Sequence, residues 1–391
     1  MSAPTTSSSS GPKPGALFTF QQGSTEHRIF QAVGWGFLVV PMFILPYILP
    51  SFRVAQLAQA LGWGVAILGL NMALGWSGLL SLGHIAFTGL GAYTTAILIN
   101  ENDWDFWMTL PLVFGVCFIM GGIVGLPALR IRGLYLALVT FSLAFTFPIL
   151  LKIEGGGIAR RTGGDNGRTF DETLRPTSWM RSLLGVSNSD QSTQVNIYKY
   201  FSMLIITLVA FLLVRNVLRS RPGRAMLAVR DNQIGAAVSG VNLNKQKVLT
   251  FALSCAVAGI GGSIVAASLD SVGPTVFDAN YAILTLMGLV LAGVGTLHGC
   301  WLGGLVVVFL QDFAPRLVDK VPFYDLDVIY ARAIFGLILV LVAFFMPGGL
   351  VSVGRKIKTW GVRVIPKIPE PVVSSTAGQV APSSPRAGVT V

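Results

Sequence analysis

The chain has 391 residues, of which 53% are hydrophobic and 12% charged, about half the roughly 25% charge of a soluble domain, which excludes an ordinary soluble protein and places the chain in a bilayer. The formal net charge of +11 then reads as basic cytoplasmic loops rather than a nucleic-acid surface. Cys117, Cys255 and Cys300 lie in or beside apolar runs with no CxxC spacing, so they read as small buried hydrophobes and not as disulfide or metal ligands.

Residues 1–28, "MSAPTTSSSSGPKPGALFTFQQGSTEHR", form a Ser/Pro/Gly-rich tail that is expected to be disordered and cytoplasmic. They contain no apolar stretch of the kind a signal peptide needs. Residues 29–350 read as an all-α, polytopic transmembrane bundle. A crossing helix needs about 20 mostly apolar residues, and about ten candidates follow: 29–50, 54–75, 83–99, 108–129, 133–151, 199–217, 248–268, 281–297, 299–316 and 329–347. The pair 281–297 and 299–316, joined by "GTLHG", is either two spans or one re-entrant hairpin. Residues 351–391 form a tail, basic and then Pro/Ser-rich, that is expected to be disordered and cytoplasmic.

Lys and Arg at the helix ends set the orientation. Arg130 and Arg132, the insert at 215–247 and the "GRKIK" tail are basic, whereas "NENDWDFW" (100–107) and "LDSVGPTVFDAN" (269–280) are not. All five agree with cytoplasmic N- and C-termini and an even number of spans. The 152–199 stretch disagrees. It falls on the outer side, yet carries Lys152, Arg160, Arg161, Arg168, Arg175, Arg181 and Lys199.

The insert "RSRPGRAMLAVRDNQIGAAVSG" (219–240) reads as one cytoplasmic helix, with Pro222 in its first turn and Gly240 at its stop. Leu227, Ile234 and Val238 share a face at helical spacing, which Asp231 interrupts. The small residues at the end, Gly235, Ala236, Ala237 and Ser239, let the helix press into a cleft on a protein partner, with Arg224, Arg230 and Asp231 setting register. The alternative is a basic loop lying on anionic lipid; the small-residue end and the Asp231–Asn232 pair favour a protein, because lipid prefers bulky apolar anchors.

"TGGDNG" (162–167) is rich in residues that take positive φ cheaply. It is a tight external turn, or a gate to which Arg160 and Arg161 draw an acidic partner. The glycines Gly78, Gly83, Gly89 and Gly91 read as close helix packing along a translocation path that has to rock or bend. His84 reads as a hydrogen-bonded structural histidine or, less simply, a substrate contact. Asp312 and Gln311 lie near the outer end of the ninth segment. Charges within the spans are otherwise few, which favours energy supplied from outside the bilayer. No G-x-x-x-x-G-K-[ST] loop is present.

Five motifs in order resemble the branched-chain amino acid ABC-transporter permease family. They are "GWSGLLSLGHIAFTGLGAYTTAIL" (75–98), "RIRGLYLALVTFSLAF" (130–145), "TGGDNG", the Arg221 to Gly240 segment with Arg230, Asn232 and Ala236 in place, and "LAGVGTLHGCWLGG" (291–304). Their spacing resembles the M-type subunit of the heteromeric pair. The family turn usually begins Gly-Gly, and here it is Ala292-Gly293. The resemblance implies a type II-like ABC importer permease of a bacterial plasma membrane, not itself an enzyme. It implies as partners a second, homologous permease subunit, two ATP-binding subunits that use the ATP, and an extracytoplasmic solute-binding protein. This chain itself then binds no cofactor, metal or nucleic acid. Arg224, Arg230, Asp231, Asn232, Ala236 and Gly240 then couple to the ATPase, and Thr162, Gly163, Gly164, Asn166 and Gly167 form the external loop. An importer of urea or short amides is the neighbouring reading. A self-sufficient secondary transporter or channel is the reading from another class.

Overall fold

The computed structural model describes residues 18–21, 42–128, 134–153, 157–169, 174, 190–318, 349 and 362–365. Two compact units are distinguished. In the one made of Met1–Leu38 and Ile357–Val391, the described residues are two strands, Phe18–Gln21 and Val362–Ile365, paired in parallel with Phe18 opposite Val362. The rest of both tails, most of the predicted first span and all of the predicted tenth lie outside the described residues.

The other unit, Val39–Lys356, is helical. Its helices are α1 (42–48), α2 (Ser51–Ser77), α3 (His84–Asn102), α4 (Phe106–Ala128), α5 (Leu134–Leu151), α6 (Ile158–Thr162), α7 (Gln191–Arg219), α8 (Arg221–Asp231), α9 (Gln233–Val238), α10 (Leu243–Leu269), α11 (Ala279–Ala292) and α12 (Gly299–Val318). Two short strands, β1 (Arg168–Thr169) and β2 (Ser271–Val272), pair antiparallel. Among the described residues α2, α4, α7 and α10 are each long and apolar enough to cross a membrane, and three shorter apolar helices fall in α5, α11 and α12.

Helix α2 is apolar on all sides and almost wholly buried, packed by α7, α10 and α12. Trp63, Ile67, Leu68 and Met72 are sealed inside. By contrast α4 exposes Ile119, Ile123 and Leu126, and α7 exposes Ile205, Leu208 and Leu212. Each set follows helical spacing, as faces turned to lipid do. Lipid is as apolar as leucine, so helices in a bilayer associate through close packing and polar contacts rather than hydrophobic drive. That packing is visible where Gly91 of α3 meets Gly259 of α10 backbone to backbone; a side chain at Gly91 would overlap the Gly259 carbonyl.

The contacts sort the connections into two faces. On one face the Asn100 amide donates to the Thr169 carbonyl at 3.2 Å, Arg168 pairs with Glu101 at 3.1 Å, and β1 holds β2. On the other face Arg230 meets Gly75, Trp76 meets Gly295, and the Gln246 amide donates to the Pro222 carbonyl at 3.0 Å. Helices α2, α3 and α10 run between the two. The described part of the discordant 152–199 stretch therefore shares the face of the acidic 100–105 turn, away from the basic insert. Several of its cations are engaged there: Lys152 with Asp165, Arg168 with Glu101 and Lys199 with Asp270.

Three helix limits differ from the sequence expectation by five residues or more. The sixth predicted span begins at Gln191 rather than 199, because its polar first turns are held by protein: the Asn196 amide donates to Ser51 Oγ at 2.8 Å and Lys199 is buried on Asp270. The seventh begins at Leu243, where Asn242 caps it by accepting from the Lys245 N–H at 3.1 Å. The eighth stops at Ala292, because Gly293 and Gly295 take positive φ and turn the chain. Helices α11 and α12 form an antiparallel hairpin. Its turn lies beside the C-terminal end of α2, and Asp312 reaches back to Arg53 near the start of α2.

Candidate functional site

The basic insert is two helices rather than one rod. Residue Asn232 is extended (φ −155°, ψ 107°), and its side chain caps α9 by accepting from the Gly235 N–H at 2.9 Å. Asparagine competes for backbone groups in this way, so it ends one helix and starts the next. Gly240, at φ 85°, closes α9: its own N–H and that of Val241 each reach back to a carbonyl of the last turn at 3.0 Å. Met226, Val229 and Ala236 are buried against the bundle, whereas Leu227, Ile234 and Val238 are each exposed. The predicted apolar face is thus turned outward. Arg224 bonds the Arg219 carbonyl at 2.9 Å within the insert, and Asp231 is exposed.

Arg230 ties the insert to α2. Its Nη1 donates to the Gly75 carbonyl at 2.5 Å, in the last turn of α2. The last carbonyls of a helix carry partial negative charge and lack helical partners, so a cation there satisfies both. Gly78 ends α2 in the left-handed region (φ 69°), directly beside the Arg230 side chain. The same turn of α2 grips the α11–α12 turn. Asn71 Nδ2 donates to the Thr296 carbonyl at 3.0 Å, Asn71 Oδ1 accepts from Gly295 N–H at 2.9 Å, and Trp76 Nε1 donates to the Gly295 carbonyl at 3.1 Å. Insert, central helix and hairpin turn therefore meet at one node. Asn71 was passed over in the sequence, although a lone asparagine in "ILGLNMALGW" is the signal of a polar helix contact in a membrane.

His298 lies in that hairpin turn. Burial and the nearby Arg215 guanidinium lower its pKa from the usual imidazole value. Below the ordinary imidazole range the unfolded chain then takes up more protons than the folded one, so stability falls with falling pH. His298→Gln is expected to flatten the loss of thermal stability between about pH 7 and 5 that this linkage predicts, as measured by melting in detergent.

His84 begins α3 and is buried, with Nδ1 2.9 Å from Ser81 Oγ and Nε2 3.0 Å from Ser254 Oγ. Both ring nitrogens are occupied by protein hydroxyls, leaving neither to a substrate in this arrangement. Gly83 abuts the Thr140 carbonyl of α5, Gly89 the Phe147 ring, and Gly91 the Gly259 backbone. All three lie at helix contacts.

On the face that carries Glu101, "TGGDNG" folds on itself. Thr162 Oγ1 donates to the Leu151 and Ile158 carbonyls, each at 2.9 Å. Gly163, Gly164 and Gly167 take positive φ. Asp165 pairs with Lys152, Asn166 is exposed, and Arg160 remains exposed beside them. Gly167, at φ 69° and ψ −169°, packs on the Val272 carbonyl. This is backbone open essentially to glycine alone, at a cost of about 1–3 kcal/mol to other residues. Gly167→Ala is expected to loosen the loop and raise its cleavage by external protease in intact cells. Among the described residues no three His, Cys, Asp or Glu side chains gather as a metal site, and the three cysteines are buried and free.

Comparison with known proteins makes this helical bundle, with its glycine seams and a polar insert clamped to α2, a membrane transport permease rather than an enzyme. Residues 53–343 match the family described as "Branched-chain amino acid transport system / permease component", and the chain belongs to it. It is 29% identical over 352 residues to the high-affinity branched-chain amino acid transport system permease protein LivM of Escherichia coli strain K12, covering 81% of this chain and 79% of that protein. Similarity to the permease protein LivH of the same strain is 27% over 150 residues, 38% of this chain and 46% of LivH. The ribose import permease protein RbsC of Haemophilus influenzae is 31% identical over 139 residues, 34% of this chain and 42% of RbsC. No solved structure matches the chain significantly.

Proposed function

We propose that the chain is the M-type permease subunit of an ATP-driven importer of branched-chain or related amino acids in a bacterial plasma membrane. It has about ten spans with both termini cytoplasmic, and it forms the translocation path with a second, similar permease. Two ATP-binding subunits dock on the insert and an extracytoplasmic solute-binding protein delivers substrate to the face carrying "TGGDNG". The observation that carries this reading is the node at Arg230. A partner that shifts the exposed Leu227, Ile234 and Val238 face moves α8 and α9, and Arg230 passes the displacement to α2 and the hairpin turn. Rigid-body motion of this kind is a standard means of switching a packed bundle. The absence of a phosphate loop from the sequence supports the assignment of ATP to the partners.

Co-purification in mild detergent is expected to bring down two ATP-binding chains and a second permease. Deletion of this subunit is expected to abolish uptake of labelled leucine and leave urea uptake unchanged. Loss of urea uptake alone favours the amide importer, and leucine uptake by the isolated chain in vesicles favours a self-sufficient transporter.

A further inference from the structure

We propose that the chain carries a binding subsite for a small aliphatic α-amino carboxylate between α2, α11 and α12, near the outer end of α2; this rests on the importer reading above. A cavity of about 210 Å³ lies there, bounded by Gln59 and Trp63 of α2, Tyr281 of α11 and Val308, Gln311 and Asp312 of α12. At about 30 Å³ per water it holds the equivalent of about seven waters, below the usual range of drug-sized pockets and suited to a metabolite of amino-acid size.

The cavity lining has a charged side, at Asp312, and an apolar wall. Arg53 stands behind the lining and holds two of its residues: its Nη1 sits 2.6 Å from Asp312 Oδ2 and 2.6 Å from Gln56 Oε1, and the Arg53 and Asp312 side chains are each 25% exposed. The wall is the Trp63 ring stacked on Tyr281, with centroids 5.3 Å apart and planes at 13°, together with Val308. Gln311 joins the two. Its Oε1 accepts from the Tyr281 hydroxyl at 3.3 Å, while its buried Nε2 has no acceptor among the described residues. A buried donor left unmet is costly, so it points to a ligand acceptor.

A zwitterion fits this set. Its ammonium takes Asp312, its carboxylate takes the released Arg53 guanidinium and the Gln311 amide, and its aliphatic side chain lies on Trp63 and Val308. Neither charge of the Arg53–Asp312 pair is then left unpaired, which is what makes opening it feasible. Urea offers an acceptor to Gln311 but no charge to replace either partner, and a sugar offers none.

The test uses the complete transporter in proteoliposomes without ATP. Val308→Cys places a thiol in the cavity, and the native cysteines are buried. Labelling of that thiol by a membrane-impermeant maleimide is expected to slow severalfold in millimolar L-leucine and not in urea. With Gln311→Leu added, the leucine concentration giving half protection should rise about tenfold, the loss of one hydrogen bond to a charged group. Labelling indifferent to leucine, a thiol that never labels, or protection by urea alone overturns the subsite. If labelling is indifferent while ATP-driven leucine uptake is normal, the subsite falls and the importer reading stands. No leucine uptake by the unaltered complex removes both.

Discussion

Arg230→Glu combined with Ala236→Trp is expected to abolish ATP-driven uptake while leaving the protein inserted and the bundle folded. Arg230 holds the insert to α2 through the Gly75 carbonyl. A carboxylate there faces the negative end of the α2 dipole, so an attraction of about 0.3–1 kcal/mol becomes a repulsion of similar size. Ala236 is 4% exposed, and an indole in its place lifts α9 off the bundle. Neither residue lies among the fully buried side chains of α2, so the core keeps its packing. The expected signature in membranes is ATP hydrolysis that no longer responds to the loaded solute-binding protein, with leucine uptake at background. Arg224→Glu serves as the control. Among the described residues its guanidinium bonds within the insert alone, so it is expected to lower uptake far less. Normal uptake by the double variant would remove Arg230 from the coupling route.

Much of this arrangement was legible from local pattern. The long apolar runs placed α2, α4 and α5 to within a few residues, and Pro222 and Gly240 marked the ends of the insert. Its internal break was not foreseen, because Asn232 reads as an ordinary helical position unless its capping of Gly235 is considered. Contacts between distant residues were the harder part. Asn71 meets Gly295 across 224 positions, and Arg53 meets Asp312 across 259. No periodicity links such pairs, and each becomes visible only when two helices are laid side by side. The 152–199 stretch illustrates the same limit. Counting Lys and Arg treats Arg168 and Lys199 as evidence about orientation, yet each finds its carboxylate, Glu101 or Asp270, in another part of the chain.

Lys199 is where that limit has its largest energetic consequence. Its side chain is 4% exposed, in the first turns of α7, and it pairs with Asp270, which ends α10 in the left-handed region at φ 50°. The other Asp270 oxygen is buried and unpartnered among the described residues. Lys199→Met therefore leaves a partly buried carboxylate with no cation. Removing one partner of a buried pair costs about 3–5 kcal/mol, and the 31% exposure of Asp270 puts the expected loss toward the lower figure. Asp270→Asn alone leaves the more deeply buried ammonium uncompensated and is expected to cost at least as much. Asparagine is chosen because it tolerates the left-handed backbone that most residues resist. The double variant removes both charges and is expected to recover most of the loss, since a buried ion pair often contributes little net stability over neutral side chains. Thermal unfolding of the four proteins in one detergent gives the coupling energy directly. Strictly additive losses would show that Lys199 and Asp270 act independently, and the contact between α7 and α10 would then rest on packing alone.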